Sequence, residues 1–120
     1  MTLENLYQEI GGNYANVMER LLQKERVKKF VLLFLKDSSH QLFIRALEQG
    51  DTKDAFRAVH TLKGVCMNLS FDALYQLSNE LTEYLRADNV DRAMALLPDF
   101  EACYEQHIHA ISAYADSQLS

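Results

Sequence analysis

The chain has 120 residues, 48% of them hydrophobic, with four glycines, one proline and a formal net charge of −5. That length and hydrophobic share suit one compact domain with a real core, and the scarcity of helix breakers favours mostly helical structure. The acidic balance, with no dense cluster of Lys and Arg, argues against nucleic acid as a partner.

The start, Met1-Thr2-Leu3-Glu4-Asn5, lacks the basic and apolar regions of a secretory signal. The longest apolar run, from Phe30 to Leu35, falls far short of the roughly 20 residues a membrane-spanning helix needs. A cytoplasmic protein without membrane contact is therefore expected. Cys66 and Cys103 lie far apart and in no metal-ligand spacing, which reads as two buried thiols in a reducing compartment.

Helical periodicity recurs along the chain, and no two-residue alternation runs long enough for a sheet. Leu3, Leu6, Tyr7 and Ile10 mark a first short amphipathic helix, which Gly11-Gly12-Asn13 separates from a second around Tyr14 to Gln23. A long helix is expected from about Glu25 to Gln49, carrying Val27, Phe30, Val31, Phe34, Leu42, Ala46 and Leu47 and stopped by Gly50. Its Phe30–Leu35 run reads as core, wide enough to leave a few apolar side chains exposed for a partner's helix. Asp51 caps the next helix, Thr52 to about Leu69, whose Val59, Leu62, Cys66 and Leu69 recur at three and four residues and should face inward. Ser70 is expected to cap a helix running through Leu85, with Leu74, Leu77, Leu81 and Leu85 as its apolar stripe. Asp88 or Asn89 caps the last stretch, which Pro98 should kink or divide. Short connections imply antiparallel neighbours. The expected fold is all-α: an up-down antiparallel four-helix bundle over about residues 26–118, with one or two N-terminal accessory helices in 1–23.

Chemistry concentrates on the Thr52–Leu69 helix. At about 100° per residue, His60 falls outside the apolar row, with Lys53, Phe56, Arg57, Lys63, Gly64 and Met67 around it. The local charge is positive although the chain is acidic. A solvent-exposed imidazole offers an uncharged nitrogen nucleophile near neutral pH, and a cation one turn away can offset the roughly −2 charge of an arriving phosphoryl group. A glycine inside a helix costs about 0.8–1.0 kcal/mol relative to alanine, so Gly64 should gain something from its missing side chain, such as close approach by another backbone. Each residue also has a plainer reading: a surface imidazole for His60, a solvated charge for Lys63, close helix packing for Gly64. Arg57 could be an ordinary exposed cation, Met67 a rim of core, and Asn68 a helix terminator.

The stretch His60-Thr61-Leu62-Lys63-Gly64, followed by Asn68-Leu69, resembles the signature of histidine-containing phosphotransfer (HPt) domains of multistep two-component phosphorelays. The order Phe34, Leu42, Ala46-Leu47, Gly50-Asp51 and then the histidine helix agrees with it. The likeness is specific over residues 51–69, looser over roughly 26–115, and weak over 1–22. It implies that His60 is the phosphoacceptor, that Lys63 stabilises the phosphate charge, and that Gly64 admits a receiver domain. Thr61, Arg57, Met67 and Asn68 become candidate partner contacts. The chain departs from the family at Ser70, often glycine, and at Met67, often small. Some members orient the imidazole with a glutamine or glutamate on the neighbouring helix, where this chain has Thr82.

The resemblance also implies the partners: receiver domains of hybrid sensor kinases and response regulators, bound by a chain expected to be a monomer. No cofactor is expected on the chain itself, because the divalent ion of the chemistry belongs to the receiver. No nucleotide-binding glycine loop is present, so a phosphoryl carrier is expected rather than an ATP-using enzyme. The alternative function is a helical binding module that docks and regulates a receiver or kinase without carrying phosphate. His107 and His109, two apart, point to different sides of a helix. Asp37 and His40 have the spacing of a carboxylate-bridged metal unit, but a second such unit cannot be assembled.

Overall fold

The computed structural model describes residues 1–119, and among them every regular element is helical. Seven α-helices follow in order: α1 Leu3–Ile10, α2 Tyr14–Leu21, α3 Lys24–Leu33, α4 Ser39–Glu48, α5 Thr52–Leu69, α6 Asp72–Arg86 and α7 Val90–Ser117.

Helix ends explain most of this division. Thr2 and Asn13 cap α1 and α2 through their side-chain oxygens, which accept the amides of Asn5 and Asn16. The single long helix expected from about Glu25 to Gln49 is two. After α3 the chain tightens into a 3-10 turn, Phe34–Lys36, and Asp37 turns extended (ψ 131°). The Asp37 carboxylate accepts the Ser39 amide at 2.8 Å, a local bond that competes with helix continuation. α4 ends with Gly50 at φ 70°, while the amides of Gly50 and Asp51 bond back to the carbonyls of Leu47 and Ala46. Asp51 then caps α5 by accepting the Asp54 amide at 3.0 Å.

Ser70 differs from its expected role. It does not cap α6, which has Phe71 at its N-terminus and no side-chain cap. Instead Ser70 closes α5 in the left-handed conformation (φ 54°), with its own amide bonded to Met67 and the Phe71 amide bonded to Cys66. Its hydroxyl donates to Asn16 Oδ1 at 2.7 Å and accepts from Arg20 at 3.3 Å, and its carbonyl accepts the Asn13 amide at 2.8 Å. One serine thus ties α2 to the α5–α6 corner. At the last boundary Asn89, not Asp88, caps α7. Pro98 does not divide α7, which is continuous across it. Pro98 and Met94 are both exposed, so the carbonyl left without a donor can meet water.

α4 to α7 form the bundle, each antiparallel to the next. Phe56 of α5 meets Arg86 of α6 near one end of that pair. Across α4 and α7, His40 stacks on Tyr104 at 3.8 Å and Phe43 meets Phe100 at 5.5 Å. α7, with 28 residues and a length of about 42 Å, matches the molecule's 43 Å long dimension. Its C-terminal half outruns the other three bundle helices and is flanked by α1, where Gln106 donates to the Glu9 carbonyl at 3.1 Å. The core is continuous between the two parts. Phe71 contacts Tyr7, Phe34 and His107 at ring distances of 5.5, 5.3 and 5.4 Å. The buried Tyr7 hydroxyl donates to the Leu69 carbonyl at 2.8 Å, and burial pushes its pKa up.

Candidate functional site

α5 buries Ala55, Ala58, Val59, Leu62, Cys66 and Leu69 and turns the opposite face outward. On that outward face stand His60, exposed, and Lys63 and Gly64, both half-buried. A side chain added at Gly64 would meet nothing within 4 Å, so internal packing does not account for the glycine. The helix is packed beneath them against α4 and α6, which sets the direction in which His60 leaves the backbone.

The other expected contacts surround this point. Arg57 is exposed and paired with Asp54 at 3.1 Å. Thr61 is exposed, with its hydroxyl donating back to the Arg57 carbonyl at 3.0 Å. Met67 is 50% exposed and Asn68 is exposed, both on the C-terminal half of the helix. On the wheel Met67 lies about 20° from His60. Thr82 is fully buried, and its hydroxyl donates to the Ser78 carbonyl at 2.7 Å. His60 has no hydrogen-bond partner among the described residues.

Two residues were under-read in the sequence. Phe56, one turn before His60, places its ring 5.7 Å from the imidazole, and Arg86 of α6 sets its guanidinium 5.0 Å from the centre of the Phe56 ring. Arg86 is also paired with Glu83 at 3.3 Å. The turn near Ser70 carries the signal for this, because an antiparallel α5–α6 hairpin reversing there brings residue 86 opposite residue 56.

Two grooves flank the helix. One, of about 540 Å³, runs between α4 and α5 and is lined by Leu42, Arg45, Gln49, Asp54, Arg57 and Thr61, among others. The second, of about 430 Å³, lies among α2, α3 and the C-terminal half of α5, with Phe30, Leu33, Val65 and Asn68 on its walls. The Phe30–Leu35 run splits accordingly: Val31 and Phe34 are buried, while Phe30, Leu33 and Leu35 are at least 36% exposed.

A family model described as "Hpt domain" matches residues 3–113. The chain belongs to the Hpt domain family. The match begins at Leu3, so it includes α1 and α2, where the sequence likeness is weak. Hpt domains are modules of phosphotransfer relays that carry a phosphoryl group rather than use ATP. No curated protein and no solved structure matches the chain.

The other histidines and the two cysteines lie away from this face. His40 is half-buried, with Nε2 2.5 Å from Glu101. His107 is buried and His109 exposed, on different sides of α7 as their spacing requires. Cys66 is buried, whereas Cys103 is half-buried rather than sealed, because it lies toward the edge of α7's inward face; both are free thiols. Among the described residues no cluster of His, Cys, Asp and Glu could hold a metal ion, and no helix is long and apolar enough to cross a membrane.

Proposed function

We propose that His60 accepts a phosphoryl group from the aspartyl phosphate of one receiver domain and passes it to the aspartate of a second response regulator. The observation that carries this reading is an exposed imidazole on the outward face of α5, without a hydrogen-bond partner among the described residues, with Lys63 one turn away and open space at Gly64. In the forward step a ring-nitrogen lone pair of His60 attacks phosphorus. The N–P bond forms as the P–O bond to the receiver's carboxylate breaks, and that bonding pair stays on the carboxylate. Charge on the moving group is spread over its oxygens, so catalysis consists mainly of placement and compensation by cations. Lys63 supplies compensation from this chain, and the receiver's divalent ion supplies the rest. The same geometry run backwards delivers the group to the second partner.

The exposed apolar side chains give such a partner somewhere to sit. Phe30 and Leu33 on one groove and Leu42 on the other lie on the side of α5 that carries Gly64 and Asn68. Arg57, Thr61, Met67 and Asn68 would line the contact. Lys53, Arg57 and Lys63 make the face cationic on an acidic chain, which complements the acidic phosphorylation pocket of a receiver.

The test pairs binding with transfer. A His60→Gln chain is expected to keep its affinity for a cognate receiver and to lose all detectable transfer. If binding and the regulation of the receiver both persist while the unaltered chain takes no phosphate, the non-phosphorylated binding module replaces the relay.

A further inference from the structure

We infer that Phe56 is the positioning residue for the His60 imidazole, and that Arg86 holds Phe56 in place from the neighbouring helix. This rests on the phosphotransfer reading of His60. A nucleophilic ring needs its reacting nitrogen aimed at phosphorus, and an imidazole on an exposed helical face turns freely about two side-chain bonds unless something restricts it. No hydrogen bond supplies that restriction among the described residues. Thr82, on the neighbouring helix, is sealed in the interior with its proton committed to the Ser78 carbonyl.

The contact that is present is aromatic. The Phe56 ring lies one turn below His60, 5.7 Å between centroids and tilted by 32°. Those values fall within the range in which ring pairs attract beyond simple burial. Phe56 is itself half-buried and packed on the core, so its ring has a fixed inner edge. Its outer side is covered by the Arg86 guanidinium at 5.0 Å, within reach of a cation–π contact, and Arg86 is steadied in turn by Glu83 at 3.3 Å. The chain Glu83, Arg86, Phe56, His60 thus runs from α6 to the imidazole without a polar contact to the imidazole. An aromatic wall narrows the ring's rotation while leaving both nitrogens unbonded, one for phosphorus and one for solvent.

The experiment is single-turnover transfer from a phosphorylated receiver over a range of receiver concentrations. It is run on the full chain with Phe56→Leu, Phe56→Tyr and Arg86→Met, alongside thermal melts. Positioning predicts that Phe56→Leu lowers the rate at saturation by about tenfold or more, the scale of a misplaced reacting group. Its half-saturating receiver concentration and melting midpoint should stay near those of the unaltered chain. Phe56→Tyr, which keeps the ring, should restore the rate, and Arg86→Met should fall between. The His60 ring protons, followed by NMR, should lose their ring-current shift in Phe56→Leu and retain it in Phe56→Tyr. Transfer by Phe56→Leu at the unaltered rate, or a loss confined to half-saturation or to melting, overturns the positioning role alone. If the unaltered chain takes phosphate from no receiver, the relay reading falls and this role falls with it.

Discussion

Gly64 has no internal reason to lack a side chain. Space is open around it, and helix propensity favours almost any other residue there. Gly64→Ala should therefore raise stability by up to about 1 kcal/mol, read by chemical denaturation. Gly64→Gln, whose Cβ likewise meets nothing within 4 Å, should keep the fold but raise the half-saturating receiver concentration by about tenfold, equivalent to ~1.4 kcal/mol of lost docking. A Gly64→Gln chain that docks normally would return the glycine to the status of an accident. The motif residues were legible because chemistry and helical spacing coincide over five positions, His60 to Gly64. Arg86 was harder to read, because its place beside Phe56 shows only when the two helices are paired across the Ser70 turn, and a wheel drawn for one helix does not show it.

Helices were legible in the sequence wherever an apolar stripe ended on a glycine or a capping side chain, as at Gly50-Asp51 and Asn89. Where a side chain had to choose between neighbouring roles, periodicity gave no answer. Asp37 breaks the expected long helix with one bond to Ser39, and Ser70 closes the helix before it rather than opening the one after. The Ser70 turn can be tested. Ser70→Ala keeps the left-handed strain and loses the bonds to Asn16 and Arg20, so it should cost about 1–2 kcal/mol. Ser70→Gly loses the same bonds but relieves the strain and should cost less. Denaturation curves that put glycine below alanine would contradict this account of the turn. α7 carries a second test. His107 is buried with Nε2 unpartnered, its Nδ1 donates to the Cys103 carbonyl at 2.8 Å, and desolvation holds its pKa below the ordinary 6.5. Between those two values the unfolded chain binds a proton that the fold does not. Stability should therefore be full above pH 6.5, decline as pH falls below it, and stop declining on this account beneath the folded value. His107→Leu should remove this part of the slope, measured as melting midpoint against pH. An unchanged slope would mean that other groups set it.

For the molecule as a whole, the up-down bundle follows from short turns and inward stripes, while the length of α7 and the way α1 and α3 pack against it needed the three-dimensional packing. That packing leaves α5 held by α4 and α6 and free on its outer face, the arrangement on which the proposed carrier role depends. The most direct measurement is to incubate the full chain with phosphorylated receivers and map the phosphate. An acid-labile, alkali-stable phosphate on His60, with His40, His107 and His109 unmodified, is the predicted result. A phosphate on any other residue, or none after every receiver of the source organism has been tried, would contradict the account.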